Sequence, residues 1–351
     1  MQFLLYGSYG YTGQLITRFA KDYGLSPILA GRNEEKLKAQ AAETGFPYRT
    51  VDLKDKATLE KALSEVSVVL HAAGPFSHTF QPMVEACLKT GTHYTDITGE
   101  VRVFEAAAQL DQAAREAGIL IMPGTGFDVV PTDCLALQLK EQLPDATELK
   151  LAFSSLGAGG PSRGTATSAV EILGQKGAIR KDGKISRVPL GHEGMEVDFG
   201  PKKRFVMAIP WGDLSSAWHS TGIPNITTYM GVKPSAYRML KWQNLYNWLL
   251  RSAWVKNYIR KQIAKRPAGP TDEQRKKGKT LVWGEVLNAE GKSKRGALIT
   301  PDGYTTTYHA SLLIVKKILS GDAPAGYQTP AGAYGSDLIF EVPGVERISL
   351  D

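Results

Sequence analysis

Along the first third of the chain, short apolar runs alternate with amphipathic stretches of helical period, the pattern of strands connected through crossover helices. Gln2–Tyr6 reads as a strand, GSYGYTG as a turn, and QLITRFAKDYG as a helix with Leu15, Ile16, Phe19 and Ala20 on its apolar side. Ser26–Ala30 reads as a second strand and EEKLKAQAAETG as a second helix. Tyr48–Val51 is a third strand, residues 55–65 a helix, and VSVVLHAAGPF a strand running into a loop of small residues. Its unbroken Val/Leu content suits a central parallel strand covered on both faces. QPMVEACLKTG then reads as a helix, HYTDITG as a strand and turn, VRVFEAAAQLDQAAREAG as one helix, and ILIMPGTGFD as a further strand. Each connection can hold a crossover. The fold class is therefore α/β, with a Rossmann-type parallel sheet over residues 1–130.

After residue 130 the rhythm changes. CLALQLKEQL reads as a helix, ATELKLAFSSL as an alternating strand, and Ser162 as the N-cap of a helix that ends at Gly174. Strand-like runs follow at Arg204–Ile209 and Thr280–Leu287. These predict a second, mixed α+β domain over 131–304, expected to bind substrate. The segment near 305–319 reads as a helix with Ala310, Leu313, Ile314 and Ile318 on its apolar side. It is expected, with the tail to 351, to return toward the first domain. Residues 264–280 read as a polar, mobile loop.

Composition adds bounds. With 351 residues, 42% hydrophobic and 22% charged, the chain suits a soluble two-domain protein. Residues 1–130 carry 12 Lys/Arg against 15 Asp/Glu, a net of -3, whereas the rest carries 30 against 20, a net of +10. That surplus could meet an acidic substrate, a carrier protein or an anionic membrane surface. No zinc-ligand cluster, helix-turn-helix or RNA-binding aromatic motif accompanies it, so nucleic acid is not an expected partner. Cys87 and Cys134 read as buried thiols, and no basic leader precedes the first strand; both point to a reducing cytoplasm. Residues 237–266 hold eight Lys/Arg and no Asp/Glu beside Trp242, Leu245, Trp248, Leu249, Trp254, Tyr258 and Ile259. The spacing predicts an amphipathic helix or a pair of them. A lid over an acyl chain, a peripheral membrane or carrier-protein contact, and plain packing on the domain or a dimer partner all remain open.

The candidate chemistry begins at Gly7, Gly10 and Gly13, between a strand and its helix, where a pyrophosphate can approach backbone N–H groups. An NAD site usually presents an acid at the end of the second strand. Here stand Gly31, Arg32 and Asn33, and Arg32 can fork onto a ribose phosphate, which favours NADP(H). Ala73, Gly74, Pro75 and Phe76 sit where a cofactor crosses the sheet. Candidates for orienting substrate or donating a proton are Asp128, Arg163, His219 and Tyr308, each with a plainer structural alternative: a turn cap, a salt bridge, an exposed ring, a packed ring. His71, His78 and His93 lack metal-site spacing, so no metal is expected.

These blocks together resemble the saccharopine dehydrogenase-like oxidoreductases, a group that includes saccharopine reductases and trans-acting enoyl reductases. The resemblance rests on Gly7–Ser8–Tyr9–Gly10–Tyr11–Thr12–Gly13, Leu29–Ala30–Gly31–Arg32–Asn33, Ala73–Gly74–Pro75–Phe76 and, most distinctively, Gly91 through Glu100. It implies an NADP-binding fold, hydride transfer and a second domain that closes over the cofactor. It would put Tyr11 and Thr12 beside the pyrophosphate, Arg32 at the ribose phosphate, Ala73 to Phe76 along the dinucleotide, and Thr98 and Gly99 near the nicotinamide. The expected function is an NADP(H)-dependent oxidoreductase, favoured as a reductase of a hydrophobic or carrier-linked substrate. A saccharopine or related amino-acid dehydrogenase is the enzymatic alternative, and a non-catalytic NADP-sensing or scaffolding protein the rival from another class. A small-molecule or acyl substrate and a homodimer are the expected partners.

Overall fold

The computed structural model describes residues 1–157 and 159–350. In chain order the first elements are β1 (Gln2–Tyr6), α1 (Tyr11–Phe19), β2 (Ser26–Gly31), α2 (Glu34–Thr44), β3 (Tyr48–Thr50), α3 (Lys56–Leu63), β4 (Val68–His71), α4 (Phe76–Thr90), β5 (His93–Asp96), α5 (Val101–Ala108), α6 (Asp111–Glu116) and β6 (Leu120–Met122). Then come α7 (Val130–Gln142), β7 (Ala146–Leu156), α8 (Arg163–Ile172), β8 (Gly177–Lys181), β9 (Lys184–Val188), β10 (Gly194–Asp198), β11 (Lys203–Ala208), α9 (Asp213–Thr221) and β12 (Asn225–Gly231). The chain continues with α10 (Pro234–Lys241), α11 (Asn247–Leu250), α12 (Ala253–Ala264), α13 (Asp272–Lys277), β13 (Lys279–Asn288) and β14 (Ser293–Pro301). It ends with α14 (Gly303–Leu319), β15 (Gly326–Tyr327), α15 (Pro330–Tyr334) and β16 (Glu346–Ile348). Two compact units result. One joins Met1–Val130 to Tyr304–Ala333; the other joins Pro131–Gly303 to the chain from Tyr334 on.

The first unit is a parallel sheet of seven strands ordered β15-β6-β5-β4-β1-β2-β3. All four residues of β4 are buried, as its unbroken apolar run predicts for a strand covered on both faces. Leu4, Ile28, Val69, Tyr94 and Ile121 meet Phe80, Met83 and Val84 of α4 in one core cluster. Two details differ from the pattern. The single helix expected over VRVFEAAAQLDQAAREAG is two, because Asp111 starts α6 and turns its carboxylate to the Tyr327 N–H of β15 at 2.8 Å. The C-terminal tail is divided: α14 and β15 complete the first unit, whereas β16 pairs with β14 in the second.

The second unit is a mixed sheet of nine strands, whose main path is β10-β11-β12-β7-β13-β14-β16. The alternating strand β7 lies inside it, parallel to β12 and antiparallel to β13. A hairpin of β8 and β9 attaches to β12, and turns on Asp182 and Gly183, with φ of 49° and 74°. Residues 264–280 are not one loop. Thr271 and Gln274 form a reciprocal capping box that starts α13, with acids in its first turn and bases in its last. The basic segment 237–266 forms α10, a 3-10 turn (Trp242–Leu245), α11 and α12 rather than one or two helices.

Candidate functional site

The sheet order reverses between β1 and β4, and open α/β sheets bind ligands at the carboxyl ends of such neighbours. Two loops meet there. Gly7 has φ of +87°, and a Cβ on it would lie 2.9 Å from the Ala72 carbonyl carbon and from Ala73 Cβ. A Cβ on Gly13 would run into the Gly7 oxygen and stand 2.7 Å from that of Ser8. The turn thus closes only with glycine at both places. Gln40 of α2 locks it: Ser8 Oγ donates to Gln40 Oε1 at 2.8 Å, and Gln40 Nε2 donates to Ser8 O at 2.9 Å. Gly10 caps α1 with no side-chain cap hydrogen bond, and Tyr11 and Thr12 flank it half-exposed. That arrangement fits a bound phosphate.

At the end of β2, Arg32 is exposed and makes no hydrogen bond or ion pair among the described residues. Asn33 beside it is partly committed elsewhere. Its side-chain oxygen accepts from the Lys36 N–H at 2.9 Å and caps α2.

The loop after β4 departs from expectation in one respect. Ala73 and Pro75 are half-exposed and Gly74 is exposed, but the Phe76 side chain packs into the core cluster and not along the loop surface. The N-terminus of α4 is already filled. Glu100 accepts from the Phe76 N–H at 2.8 Å and the Ser77 N–H at 2.9 Å, one bond to each carboxylate oxygen. Below the loop, His71 is fully buried and bonded through Nε2 to Thr79 Oγ1 at 2.8 Å. Burial lowers its pKa to about 3, so the ring is neutral.

Behind the ends of β5 and β6 lies a group that the sequence only partly marks. Asp96 is buried and accepts from Tyr94 Oη at 2.6 Å, the Thr98 N–H at 2.9 Å and the Gly124 N–H at 2.9 Å. Burial still raises its pKa to about 7 against those donors. Thr98 is buried and its hydroxyl accepts from the Glu100 N–H at 3.0 Å, which fixes the turn carrying Gly99. A Cβ on Gly99 would stand 3.0 Å from Asp128 Oδ2, so the structure brings Asp128 to the Thr98–Gly99 turn. Asp128 keeps some accessible surface yet sits deep among protein atoms, and burial raises its pKa to about 7. Its segment is held by α14: Thr307 Oγ1 accepts from the Phe127 N–H at 3.0 Å and Ser311 Oγ donates to Thr125 O at 3.3 Å.

Tyr308 on that helix is buried, its ring stacked on Phe19 at 4.3 Å. Phe19 ends α1, about 13 Å of helix from the glycine turn. One turn earlier, Tyr304 packs edge-on against Tyr11 at 5.0 Å, and it is Tyr304 that borders the start of α1. From Arg32 at the end of β2 across β1 and β4 to the ends of β5 and β6, the candidate residues of this unit other than Phe76 and Tyr308 lie along four strand spacings, roughly 19 Å.

Arg163 and His219 belong to the second unit. Arg163 opens α8, exposed, with its N–H on Ala268 O at 2.9 Å. His219 is exposed in the last turn of α9, where a cation suits the helix carbonyls. Among the described residues, no group of three or more His, Cys, Asp or Glu could hold a metal ion. Both cysteines are buried, and burial pushes both thiols up.

Comparison with known proteins agrees with this geometry. A family model described as the saccharopine dehydrogenase NADP binding domain matches residues 3–122. A mouse saccharopine dehydrogenase-like oxidoreductase is 28% identical over 207 residues, covering 52% of this chain and 48% of that protein. A trans-acting enoyl reductase of Mycobacterium ulcerans is 32% identical over 140 residues, covering 38% of this chain and 34% of that protein. The chain thus spans about half or less of the length of these relatives. Among solved structures, the apo saccharopine dehydrogenase (L-Glu forming) of Saccharomyces cerevisiae superposes with a TM-score of 0.68, covering 99% of this chain and 100% of that one. At 14% identity that likeness is one of fold.

Proposed function

This chain belongs to the saccharopine dehydrogenase-like oxidoreductase family, and from that premise we propose that it is an NADP(H)-dependent oxidoreductase. The observation that carries the cofactor choice is Arg32, an exposed cation without an internal partner at the strand end where a ribose-binding acid would otherwise stand. The glycine turn supports the same reading, since Gly7, Gly10 and Gly13 leave room for a pyrophosphate against the backbone, with Tyr11 and Thr12 flanking it. Ala73 to Pro75 would follow the dinucleotide through their backbone. Thr98 and Gly99 would border its nicotinamide end. When bound, the nicotinamide gives or takes the hydride.

This chain's own residues would orient the reactants, exclude water and handle the proton. Asp128 suits proton transfer, because with a pKa of about 7 it is present in both forms near neutrality, beside the Gly99 turn. Asp96 acts through others. Its bonds to the Thr98 and Gly124 N–H groups tie together the two segments that carry Gly99 and Asp128, a positioning role.

For the substrate, the match to the saccharopine dehydrogenase family model and to saccharopine dehydrogenase-like relatives supports a saccharopine or related amino-acid dehydrogenase over a reductase of hydrophobic or carrier-linked substrates.

Anaerobic fluorescence titration with NADPH and NADH, for the parent and Arg32→Ala, tests the cofactor. Loss of a charge-assisted contact of about 1.5–3 kcal/mol predicts NADPH binding weakened roughly 10- to 150-fold with NADH unchanged. Equal losses for both nucleotides would overturn the role of Arg32. Binding without turnover of any amino-acid substrate would turn the reading toward a sensing protein.

A further inference from the structure

Among the described residues, every large hydrophobic side chain that is exposed, Met1 aside, falls between Met239 and Tyr258. There are eight: Met239, Trp242, Leu245, Tyr246, Trp248, Leu249, Trp254 and Tyr258, with Trp254 at 75% and Trp248 at 74% exposure. This face is not awaiting a place in the core. The opposite side of α12 is already docked, with Ile263 in a cluster with Ala166 and Val170 of α8. Arg260 pairs with Glu171 at 2.6 Å, Lys256 donates to Glu171 O at 2.9 Å, and Arg251 donates to Gly174 O at 2.8 Å. The helix is thus held in place while Trp254 and Tyr258, one turn apart and with rings 6.3 Å apart, face outward.

The charge carried by the segment itself has one sign. Residues 237–266 hold eight Lys/Arg and no Asp/Glu. Arg238, Lys261, Lys265 and Arg266 are exposed and form no ion pair among the described residues. A second copy docking by this same face would set cations against cations, because a two-fold interface is self-complementary. An anionic lipid surface meets both demands: phosphate and carboxylate headgroups for the cations, and an acyl boundary for the apolar side chains. Trp and Tyr favour that boundary for their apolar bodies and polar tips. No helix among the described residues is long and apolar enough to cross a membrane, and a surface contact requires none.

We propose that Met239–Tyr258, with the basic end of α12, is a docking surface for anionic membranes. The inference stands apart from the dinucleotide reading.

The test uses the full chain in flotation with vesicles of phosphatidylcholine alone and of equal parts phosphatidylcholine and phosphatidylserine. The expected result is binding to the anionic vesicles, weakened by salt, with a blue shift of tryptophan emission. Trp248→Ser with Trp254→Ser should abolish it while leaving the thermal melt unchanged, since both rings are exposed. Lys261→Gln, Lys265→Gln and Arg266→Gln together should weaken it on the order of 100-fold, at about fivefold per charge. Binding to neither vesicle, or binding that ignores these substitutions, overturns the proposal. So does sedimentation showing a dimer that the tryptophan substitutions dissolve, without vesicle binding; the face would then belong to a second copy.

Discussion

Glu100 holds the first two N–H groups of α4 with both of its carboxylate oxygens, at 2.8 and 2.9 Å. Hydrogen bonds to a charged group contribute about 1.5–3 kcal/mol each, and a carboxylate at a helix N-terminus adds about 0.3–1 kcal/mol. Glu100 is part-exposed, so solvent screening selects the low end of each term, and Glu100→Ala should cost about 3 kcal/mol. Glu100→Gln keeps one acceptor oxygen and turns an NH2 toward the other N–H, so it should cost about half as much. Urea unfolding at fixed ionic strength measures both. The alanine variant should also acquire an anion site, because its α4 N-terminus reopens. Sulfate should then stabilise it beyond the effect shared with the parent, by about 1.4 kcal/mol for each tenfold increase above saturation. An alanine variant within about 0.5 kcal/mol of the parent, responding identically to sulfate, would refute the reasoning.

Gly13→Ala places a methyl group against the Gly7 carbonyl and 2.7 Å from that of Ser8, so the turn must open. We expect nucleotide binding lost on titration, with stability reduced by about 1–3 kcal/mol; undiminished binding would show that the turn tolerates a side chain. The pKa of Asp128 is raised by burial from 3.8 to about 7, so the fold favours its neutral form. Stability present below about pH 4 is therefore lost as pH rises through about 7. Asp128→Asn should flatten part of that decline in thermal melts between about pH 4 and pH 8, the remainder belonging to Asp96. A slope identical to the parent's would rule out Asp128 as its source.

The parallel sheet was legible because β1, β2, β4 and β6 are apolar runs bounded by turn residues, and a glycine turn announces itself locally. Arg32 was legible by substitution of type, a cation where an acid is usual. Contacts made across long stretches of chain were not. Glu100 meets Phe76 from 24 residues away and Gln40 meets Ser8 from 32, and no periodicity marks either pairing. Tyr304 and Tyr308 lie one turn apart on α14, and only packing decides which of them borders the start of α1, beside the glycine turn. Other signals were present and outweighed. Thr271–Asp272–Glu273–Gln274 spells a capping box, but the surrounding Pro and Gly read as loop. Asp182–Gly183 spells a hairpin turn whose flanking strands are too polar to stand out. The last strand of the first unit, β15, has two residues and no sequence signal of its own.

That short strand has a consequence for biosynthesis. β6 pairs with β5 on one side and with β15 on the other, and Gly326 leaves the ribosome long after Leu120. At roughly 5–20 residues per second, synthesis of the intervening chain takes on the order of 10–40 s. During that interval the outer edge of β6, formed by the apolar Leu120, Ile121 and Met122, has open backbone groups that can template another strand. The nascent chain therefore carries its aggregation hazard in the middle of its synthesis and buries it only when β15 arrives.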